Sequence, residues 1–397
     1  MDFPIQLEGQ SQTIHCVEMH TTGEPTRIIY KGFPDLDGTL LQQRASAKAN
    51  HDTIRQQLIL EPRGHWDMYG AVLRPETELV SSGQAHIGVL FMHNEGFSTM
   101  CGHATIALGR FLVDTHDLSI FPKRDQLVYD EVERTTTIDL HAPCGVVRIT
   151  APTKEDGYRS DSSRQVSFVS VPSFATGIQI HVPIPEKLLW PQLGSRTSLV
   201  ADISYGGTFY CIVPAMELGF PSSLTKVDMT AMNLATRSLK EAINTNPELQ
   251  QYLRHPDSED LGFLYSVMVV DASIGIVAEN TAGVETGLCF FADQQVDRSP
   301  TGGAVASRVA LAYAKGLRKL GERWTYHSLV SNGFEGCGAF VGSVVEELEQ
   351  PKVGGGSQAY VRVKVEGNAY YTGFHCFVIE DGDRIGAKGF SLKSLTE

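Results

Sequence analysis

The sequence lacks the short motifs by which metal, phosphate and dinucleotide sites are most readily recognised. It contains no C-x-x-C pair, no H-E-x-x-H and no glycine-rich phosphate or dinucleotide loop. Such patterns place thiolates, imidazoles or backbone N–H groups around those ligands. Its seven cysteines are scattered and odd in number, which favours reduced thiols over a disulfide framework. We therefore expect no metal site and no nucleotide cofactor.

Positive charge and long apolar runs are also scarce. Lysine and arginine number 33 against 46 acidic residues, for a formal net charge of -13, so no basic face is available for nucleic acid or anionic lipid. No apolar run approaches the length of a membrane span, and residues 1–12 lack the basic and apolar regions of a signal peptide. We expect a cytoplasmic protein without nucleic-acid or membrane partners.

The length and composition are those of a globular protein with two domains. The chain has 397 residues, 42% of them hydrophobic and 20% charged, which exceeds the usual size of a single core. Strand-like runs alternate with helical stretches, of which residues 229–254 are the longest, and a break falls near residues 172–177. The pattern predicts an α/β protein. The candidate strands are residues 14–19, 137–140, 146–149, 166–171, 199–203, 208–213, 265–270, 275–278 and 360–365.

An internal echo is the most informative feature of the sequence. CGHA at residues 101–104 precedes a helical pattern, and TGGA at residues 301–304 precedes another, at an offset of 200 residues. The first pattern has apolar residues at helical spacing through Leu112, and the second through Tyr313. The chain therefore reads as two related halves.

The echo suggests a site built from two helix N-termini. Cys101 directly precedes its helix, where free N–H groups and the helix dipole stabilise a thiolate. Two such ends facing each other would hold one small anion, and Asp297 could pair with an ammonium group of the same ligand. Taken alone, Cys101 reads as one more buried cysteine and the glycines as a turn; the echo favours the site. The donors are the backbone N–H groups of Gly102, His103, Gly302 and Gly303. We expect His103 to act through its N–H, and leave a side-chain role open.

Four stretches resemble the proline racemase superfamily, and the resemblance extends from about residue 14 to the end. The racemases that this chain resembles look like two-base enzymes with a cysteine in each half. The second cysteine lies in a D-R-S-P-C-G-T-G pattern. Here the matching residues 297–304 read DRSPTGGA, so Thr301 replaces the second cysteine. Gly303 and Ala304 also depart from the pattern. The four stretches are residues 20–27 (HTTGEPTR), 100–107 (MCGHATIA), 202–207 (DISYGG) and 297–302 (DRSPTG).

The resemblance implies the diaminopimelate-epimerase type of fold. Two similar domains would each wrap a curved mixed sheet around a central helix, with the active site between them. The implied domains are residues 1–176, joined by residues 375–397 returning from the C-terminus, and residues 177–374. The resemblance also implies a homodimer that acts on a small imino acid.

With threonine in place of the second cysteine, the chain resembles those members of the superfamily that dehydrate trans-3-hydroxy-L-proline to Δ1-pyrroline-2-carboxylate. A threonine hydroxyl is too weakly acidic to serve as a resting base, whereas elimination needs one strong base and no cofactor. The implied roles are Cys101 as base, with Thr301 positioning substrate or relaying a proton. Asp297 would bind the ring nitrogen and Phe291 would line the pocket, while Gly102, His103, Gly302 and Gly303 would hold the carboxylate.

Two other functions stay open at this point. A proline or 4-hydroxyproline racemase or epimerase would use Thr301 and a bound water to supply the second proton. A binding protein without catalysis would bind an imino acid unchanged, but the retention of Cys101 with its Gly102 and His103 neighbours disfavours it.

Overall fold

The computed structural model describes residues 11–155, 157–349 and 359–396. These ranges form a mixed α/β structure, which confirms the predicted fold class. Its strands are β1 Ser11–Thr21, β2 Glu24–Lys31, β3 Gly70–Arg74, β4 Ile87–Met92, β5 Phe97–Ser98, β6 Val128–Asp130, β7 Thr135–Ala142, β8 Gly145–Pro152, β9 Val166–Val169, β10 Phe174–Pro183, β11 Ser198–Tyr205, β12 Phe209–Pro214, β13 Leu264–Asp271, β14 Val284–Phe291, β15 Gln295–Val296, β16 Trp324–His327, β17 Phe340–Leu348, β18 Tyr360–Gly367 and β19 Tyr370–Glu380. Its helices are α1 Leu40–Asn50, α2 Asp52–Ile59, α3 Glu78–Ser81, α4 Gly102–Asp114, α5 Met229–Thr245, α6 Gly302–Ala314, α7 Leu329–Gly333 and α8 Leu392–Thr396.

The order of strand pairing repeats in the two halves of the chain. In the first half, β1, β2, β3, β4, β7, β8 and β9 are neighbours in that order, and the second and fourth of the six pairings are parallel. In the second half, β11, β12, β13, β14, β16, β17 and β18 are neighbours with the same two parallel pairings. The internal echo therefore reflects a repeated topology.

Each half closes around one helix. Helix α4 contacts β1, β2, β8 and β9, while α6 contacts β10, β11, β17 and β18. Both helices have 13 residues and begin at the positions that the echo predicts. Residues 102–113 of α4 are all buried, so the helix is enclosed on every side, where the spacing alone predicts one buried face.

The two halves exchange strands at their ends. β10, which follows the first half in sequence, pairs with β11, the first strand of the second half. β19 returns to pair with β1 from Ser11 to His20, and β9 pairs with β18 across the middle. The predicted division at residues 176 and 374 falls inside β10 and β19, and it remains a proposal.

Most of the predicted strands lie within observed ones, but residues 275–278 do not. This segment is a loop after β13, because Asp271 accepts the N–H of Ser273 at 2.8 Å and turns the chain. Ile276 and Val277 are 54% and 52% exposed, so their β-branched side chains misled the sequence reading. Residues 229–254 divide into α5 and a short 3-10 turn at Gln250–Leu253.

None of the described helices is both long enough and apolar enough to cross a bilayer. The sequence predicts no signal peptide in residues 1–12, and the first ten of these residues lie outside the described ranges.

Candidate active site

The N-termini of α4 and α6 touch where the two halves meet. A Cβ added to Gly102 would lie 2.4 Å from the Cα of Gly302, so only glycine permits this approach. The first N–H groups of a helix have no partner within it. Those of Gly102, His103, Gly302 and Gly303 therefore lie at one place, as the sequence predicts.

A small cavity lies beside this contact. It has a volume of about 20 Å³, about the room that one water molecule takes. Of the residues singled out from sequence, Cys101, Gly102, His103, Phe291, Asp297 and Thr301 line it, together with Tyr69, Met100, Tyr210 and Tyr265. Cys101 is the one thiol among these described lining residues.

Cys101 is the N-cap residue of α4, and its Sγ accepts the N–H of Ala104 at 3.4 Å. Burial nevertheless raises the pKa of this thiol well above its usual value, and negative charge on Asp297 or Glu24 raises it further. The Ala104 N–H and the Tyr69 hydroxyl act in the opposite direction. The helix N-terminus thus favours a thiolate as expected, but burial outweighs it in the ligand-free protein.

The His103 side chain lies between the thiol and Asp297. Its Nδ1 is 3.3 Å from Cys101 Sγ and 3.8 Å from Asp297 Oδ2. Burial lowers the pKa of this imidazole, against the effect of Asp297, so the ring is neutral at neutral pH. The sequence predicts that His103 acts through its backbone N–H. In the structure its side chain also contacts the thiol.

Asp297 and Thr301 are joined directly. Thr301 Oγ1 donates to Asp297 Oδ2 at 2.7 Å, and the Ser299 N–H donates to Oδ1 at 2.7 Å. Thr301 has a φ of 62°, an uncommon backbone conformation for a β-branched residue. The Thr301 hydroxyl is therefore committed as a donor to the carboxylate.

Gly303, one of the two departures from the racemase pattern, lies against Tyr210. A Cβ at Gly303 would be 2.5 Å from the Tyr210 hydroxyl oxygen. The tyrosine hydroxyl thus occupies the space into which a threonine side chain at position 303 would project. Ala304, the other departure, is fully buried in the first turn of α6.

Aromatic rings form the remaining wall of the cavity. Phe291 contacts Tyr69 and Tyr265, with ring centroids 5.9 and 5.8 Å away. The Tyr69 ring lies edge-on to His103 at 4.7 Å, and its hydroxyl is 2.8 Å from Ser98 Oγ. Sequence reasoning found Phe291 but missed the three tyrosines, because no motif marks them and they lie at distant points of the chain: Tyr69 directly before β3, Tyr210 in β12 and Tyr265 in β13.

Glu24, which sequence reasoning did not single out, lies behind the cavity, where its charge would act on Asp297 and Cys101. Glu24 is fully buried and its Oε2 accepts the N–H of Arg298 at 2.8 Å. It belongs to the HTTGEPTR stretch, so the acidic residue within that motif was an available signal. Within the described ranges, no cluster of three or more histidine, cysteine or carboxylate side chains has the geometry of a metal site.

This architecture defines a class of protein: two similar α/β halves that bring two helix N-termini together over a buried thiol and carboxylate. The family model for proline racemase matches residues 16–391. The chain belongs to the proline racemase family, which confirms the resemblance read from the sequence.

Relatives with similar sequences cover nearly the whole chain. The trans-3-hydroxy-L-proline dehydratase of Homo sapiens is 40% identical over 383 residues, 96% of this chain and 95% of the relative. The protein of the same name from Colwellia psychrerythraea is 35% identical over 331 residues, 83% of this chain and 82% of the relative.

Two solved structures share the fold. A "probable proline racemase" from Agrobacterium radiobacter K84 has a TM-score of 0.76 at 22% identity, covering 96% of this chain and 97% of the other. A hydroxyproline epimerase from Agrobacterium vitis has a TM-score of 0.71 at 20% identity, covering 97% of this chain and 96% of the other.

Proposed function

We propose that the protein dehydrates trans-3-hydroxy-L-proline to Δ1-pyrroline-2-carboxylate without a cofactor. The observation that carries the proposal is the unequal pair at the two helix N-termini. Cys101 supplies a thiol, whereas Thr301 supplies a hydroxyl that donates to Asp297 at 2.7 Å. A racemase needs an acid or base on each face of Cα, while an elimination needs one. The relatives named as trans-3-hydroxy-L-proline dehydratases support the same reaction.

The elimination takes place on one face of the ring. In the trans-3-hydroxy acid, the hydroxyl shares a face with the Cα hydrogen. Cys101 Sγ takes the Cα proton, the C–H electron pair forms a double bond to Cβ, and the Cβ–O bond breaks. The thiol then returns the proton to the departing hydroxide, which leaves as water. The enamine product tautomerises to Δ1-pyrroline-2-carboxylate.

The substrate carboxylate binds at the joined helix ends. The N–H groups of Gly102, His103, Gly302 and Gly303 face it, and the helix dipoles add positive potential. The same donors stabilise the negative charge that develops next to the carboxylate as Cα loses its proton. Phe291 and the tyrosines exclude water from the ring.

Substrate binding would itself activate the thiol. The Asp297 carboxylate raises the pKa of Cys101 in the ligand-free site. A ring ammonium beside Asp297 offsets that negative charge and favours the thiolate. The neutral His103 ring, 3.3 Å from Sγ, is placed to accept the thiol proton, and Asp297 stabilises the resulting imidazolium.

Incubation with three substrates tests the reaction. Purified protein is mixed in deuterium oxide with trans-3-hydroxy-L-proline, trans-4-hydroxy-L-proline or L-proline, and products are followed by NMR, with Cys101→Ser as the control. We expect Δ1-pyrroline-2-carboxylate from the 3-hydroxy compound alone, and none from Cys101→Ser. Deuterium at Cα with inversion of the other two substrates would instead identify an epimerase.

The same proposal includes a cytoplasmic homodimer. All seven cysteines are free thiols, the state that a reducing compartment maintains. Light scattering coupled to size-exclusion chromatography measures the mass directly: a dimer has twice the 43.4 kDa of one chain, and a single-chain mass contradicts the assembly.

A further inference from the structure

The tip of the β1–β2 hairpin carries a carboxyl group that the proposed mechanism does not use. Glu24 is 0% exposed. Its Oε2 accepts one backbone N–H, that of Arg298, and its Oε1 has no hydrogen-bond partner in the described part of the chain. A buried carboxylate requires a counter-charge or several donors. One N–H is a poor match for the ionised form of Glu24.

The hairpin holds this carboxyl in place against the active site. Thr22 and Gly23 both have positive φ, 54° and 83°, as in the two-residue turns that close tight hairpins. Thr21 Oγ1 donates to the carbonyl of His103 at 3.0 Å, and Thr22 Oγ1 donates to that of Gly338 at 2.6 Å. The turn is thus anchored to α4 on one side and to the second half on the other.

The charges that face Glu24 are predominantly negative. Among these charges, Asp297 has the largest effect on the pKa of Glu24, and Asp67 acts in the same direction. The Arg298 side chain donates to Asp67 at 2.8 Å. The Asp67 carboxylate therefore balances the positive charge of Arg298. Burial, and then Asp297, raise the pKa of Glu24 well above its usual value, against Arg298. The thiols of Cys101 and Cys289 are close enough for a charge on Glu24 to raise their pKa values.

We propose that Glu24 is a positioning residue held in its protonated form behind Asp297, so that the site carries a single carboxylate charge. That charge suffices to bind the ring ammonium under the proposed function. A second charge would make the Cys101 thiolate harder to form, because like charges repel across a site with little water. Glu24 acts through Asp297 and Cys101, and it does not touch the cavity.

Infrared difference spectroscopy tests the protonation state. At neutral pH the wild type should show the carbonyl stretch of a protonated carboxyl, and Glu24→Gln should lack it. Glu18→Gln is the matched control, since Glu18 is a buried glutamate of the same hairpin paired with Arg27, and this variant should keep the band. Absence of the band from the wild type, or its survival in Glu24→Gln, overturns the proposal.

The pH dependence of Cys101 alkylation tests the coupling. Rates with iodoacetamide are read by peptide mass spectrometry, which separates Cys101 from the exposed Cys337. The wild type and Glu24→Gln should react at the same rate near neutral pH. As pH rises and Glu24 ionises in the wild type, Glu24→Gln should react faster, by about tenfold for each pKa unit of coupling. Coincident profiles across the alkaline range overturn the proposal.

Neither measurement depends on turnover of a hydroxyproline, so failure of the proposed reaction would leave both results interpretable. A glutamine amide reproduces the shape and neutrality of a protonated glutamate. Failure of Glu24→Gln to fold would therefore also overturn the proposal, because it would show that the charged form is required.

Discussion

Thr301 combines a strained backbone with a fixed side chain. Its φ of 62° is a conformation that costs a non-glycine residue about 1–3 kcal/mol. The same conformation allows its hydroxyl to reach Asp297 at 2.7 Å. Strain of this kind persists where the surroundings impose it, and here the imposed contact orients the carboxylate proposed to bind substrate.

Removal of the Thr301 hydroxyl should weaken substrate binding. Thr301→Val keeps the shape but leaves Asp297 Oδ2 without its donor, and a buried acceptor that loses its partner costs about 1–3 kcal/mol. We expect KM for trans-3-hydroxy-L-proline to rise by about tenfold, the equivalent of about 1.4 kcal/mol, with a smaller change in kcat. Steady-state kinetics measure both.

Thr301→Ser is the control for this loss because it retains the hydroxyl. It should recover most of the affinity. Equal impairment of the serine and valine variants would show that the methyl group, rather than the hydrogen bond to Asp297, is what matters at this position.

At the scale of elements, the site depends on how closely two helices approach. The Cβ that alanine would add at Gly102 lies 2.4 Å from the Cα of Gly302, and the obstacle is backbone, which cannot rotate away. The carboxylate-binding N–H groups of both helices can converge only if the ends stay in contact.

Gly102→Ala should therefore separate the helix ends. We expect a loss of about 1–3 kcal/mol in the free energy of unfolding, in the range seen for overpacked interiors, and a larger proportional loss of dehydratase activity. Denaturant unfolding and kinetics measure the two effects. Gly333→Ala is the control, because a Cβ at Gly333 meets nothing within 4 Å; a similar loss in that variant would contradict the steric argument.

The returning strand β19 is held by Arg63 as well as by β1. Arg63 donates to the carbonyl of Val378 through Nε at 3.2 Å and through one terminal nitrogen at 3.0 Å, and to that of Gly386 at 2.8 Å. These bonds connect the loop after α2 to the C-terminal segment.

Arg63→Met should loosen that segment without altering the cavity. Loss of these charged donors should cost about 1–3 kcal/mol in the free energy of unfolding and speed proteolysis of residues 381–396. Limited proteolysis with mass spectrometry locates the cuts. Arg384→Met changes an exposed arginine of the same segment and should behave as the wild type; equal sensitivity of the two variants would rule out the tether.

For the whole molecule, histidines that are wholly or partly removed from water dominate the expected response to mild acid. Burial lowers the pKa of nine of them in the folded state, with His93 affected strongly. The unfolded chain then binds more protons than the folded one as pH falls below about 6.5. The stability that neutral histidines provide is present above that pH and is lost as pH falls through the folded pKa values.

The free energy of unfolding should therefore fall as pH decreases from about 6.5. Each histidine that stays neutral in the folded state adds a slope of up to about 1.4 kcal/mol per pH unit. Urea unfolding across this range measures the slope. His93→Asn, which offers an oxygen to the N–H groups of Glu95 and Gly96 that His93 accepts, should flatten it. An unchanged slope would show that His93 does not titrate as inferred.

The sequence by itself determined the family, the two-half architecture and the placement of Cys101, His103, Asp297 and Thr301 at one site. Local patterns carry this information, because a helix start is defined by its own residues and the echo repeats that signal in both halves. Phe291 and the paired glycines followed from the same motifs.

Only the tertiary structure decided the chemical state of the site. Burial, which depends on every surrounding element, makes the Cys101 thiol harder to ionise and keeps the His103 ring neutral. The three tyrosines reach the site from separate parts of the chain, and no local pattern marks them. Glu24 lies within a recognised motif, but only the fold places it behind Asp297. Hydrogen-bond partners and desolvation are set by residues distant in sequence, and for that reason they become readable only once the chain is folded.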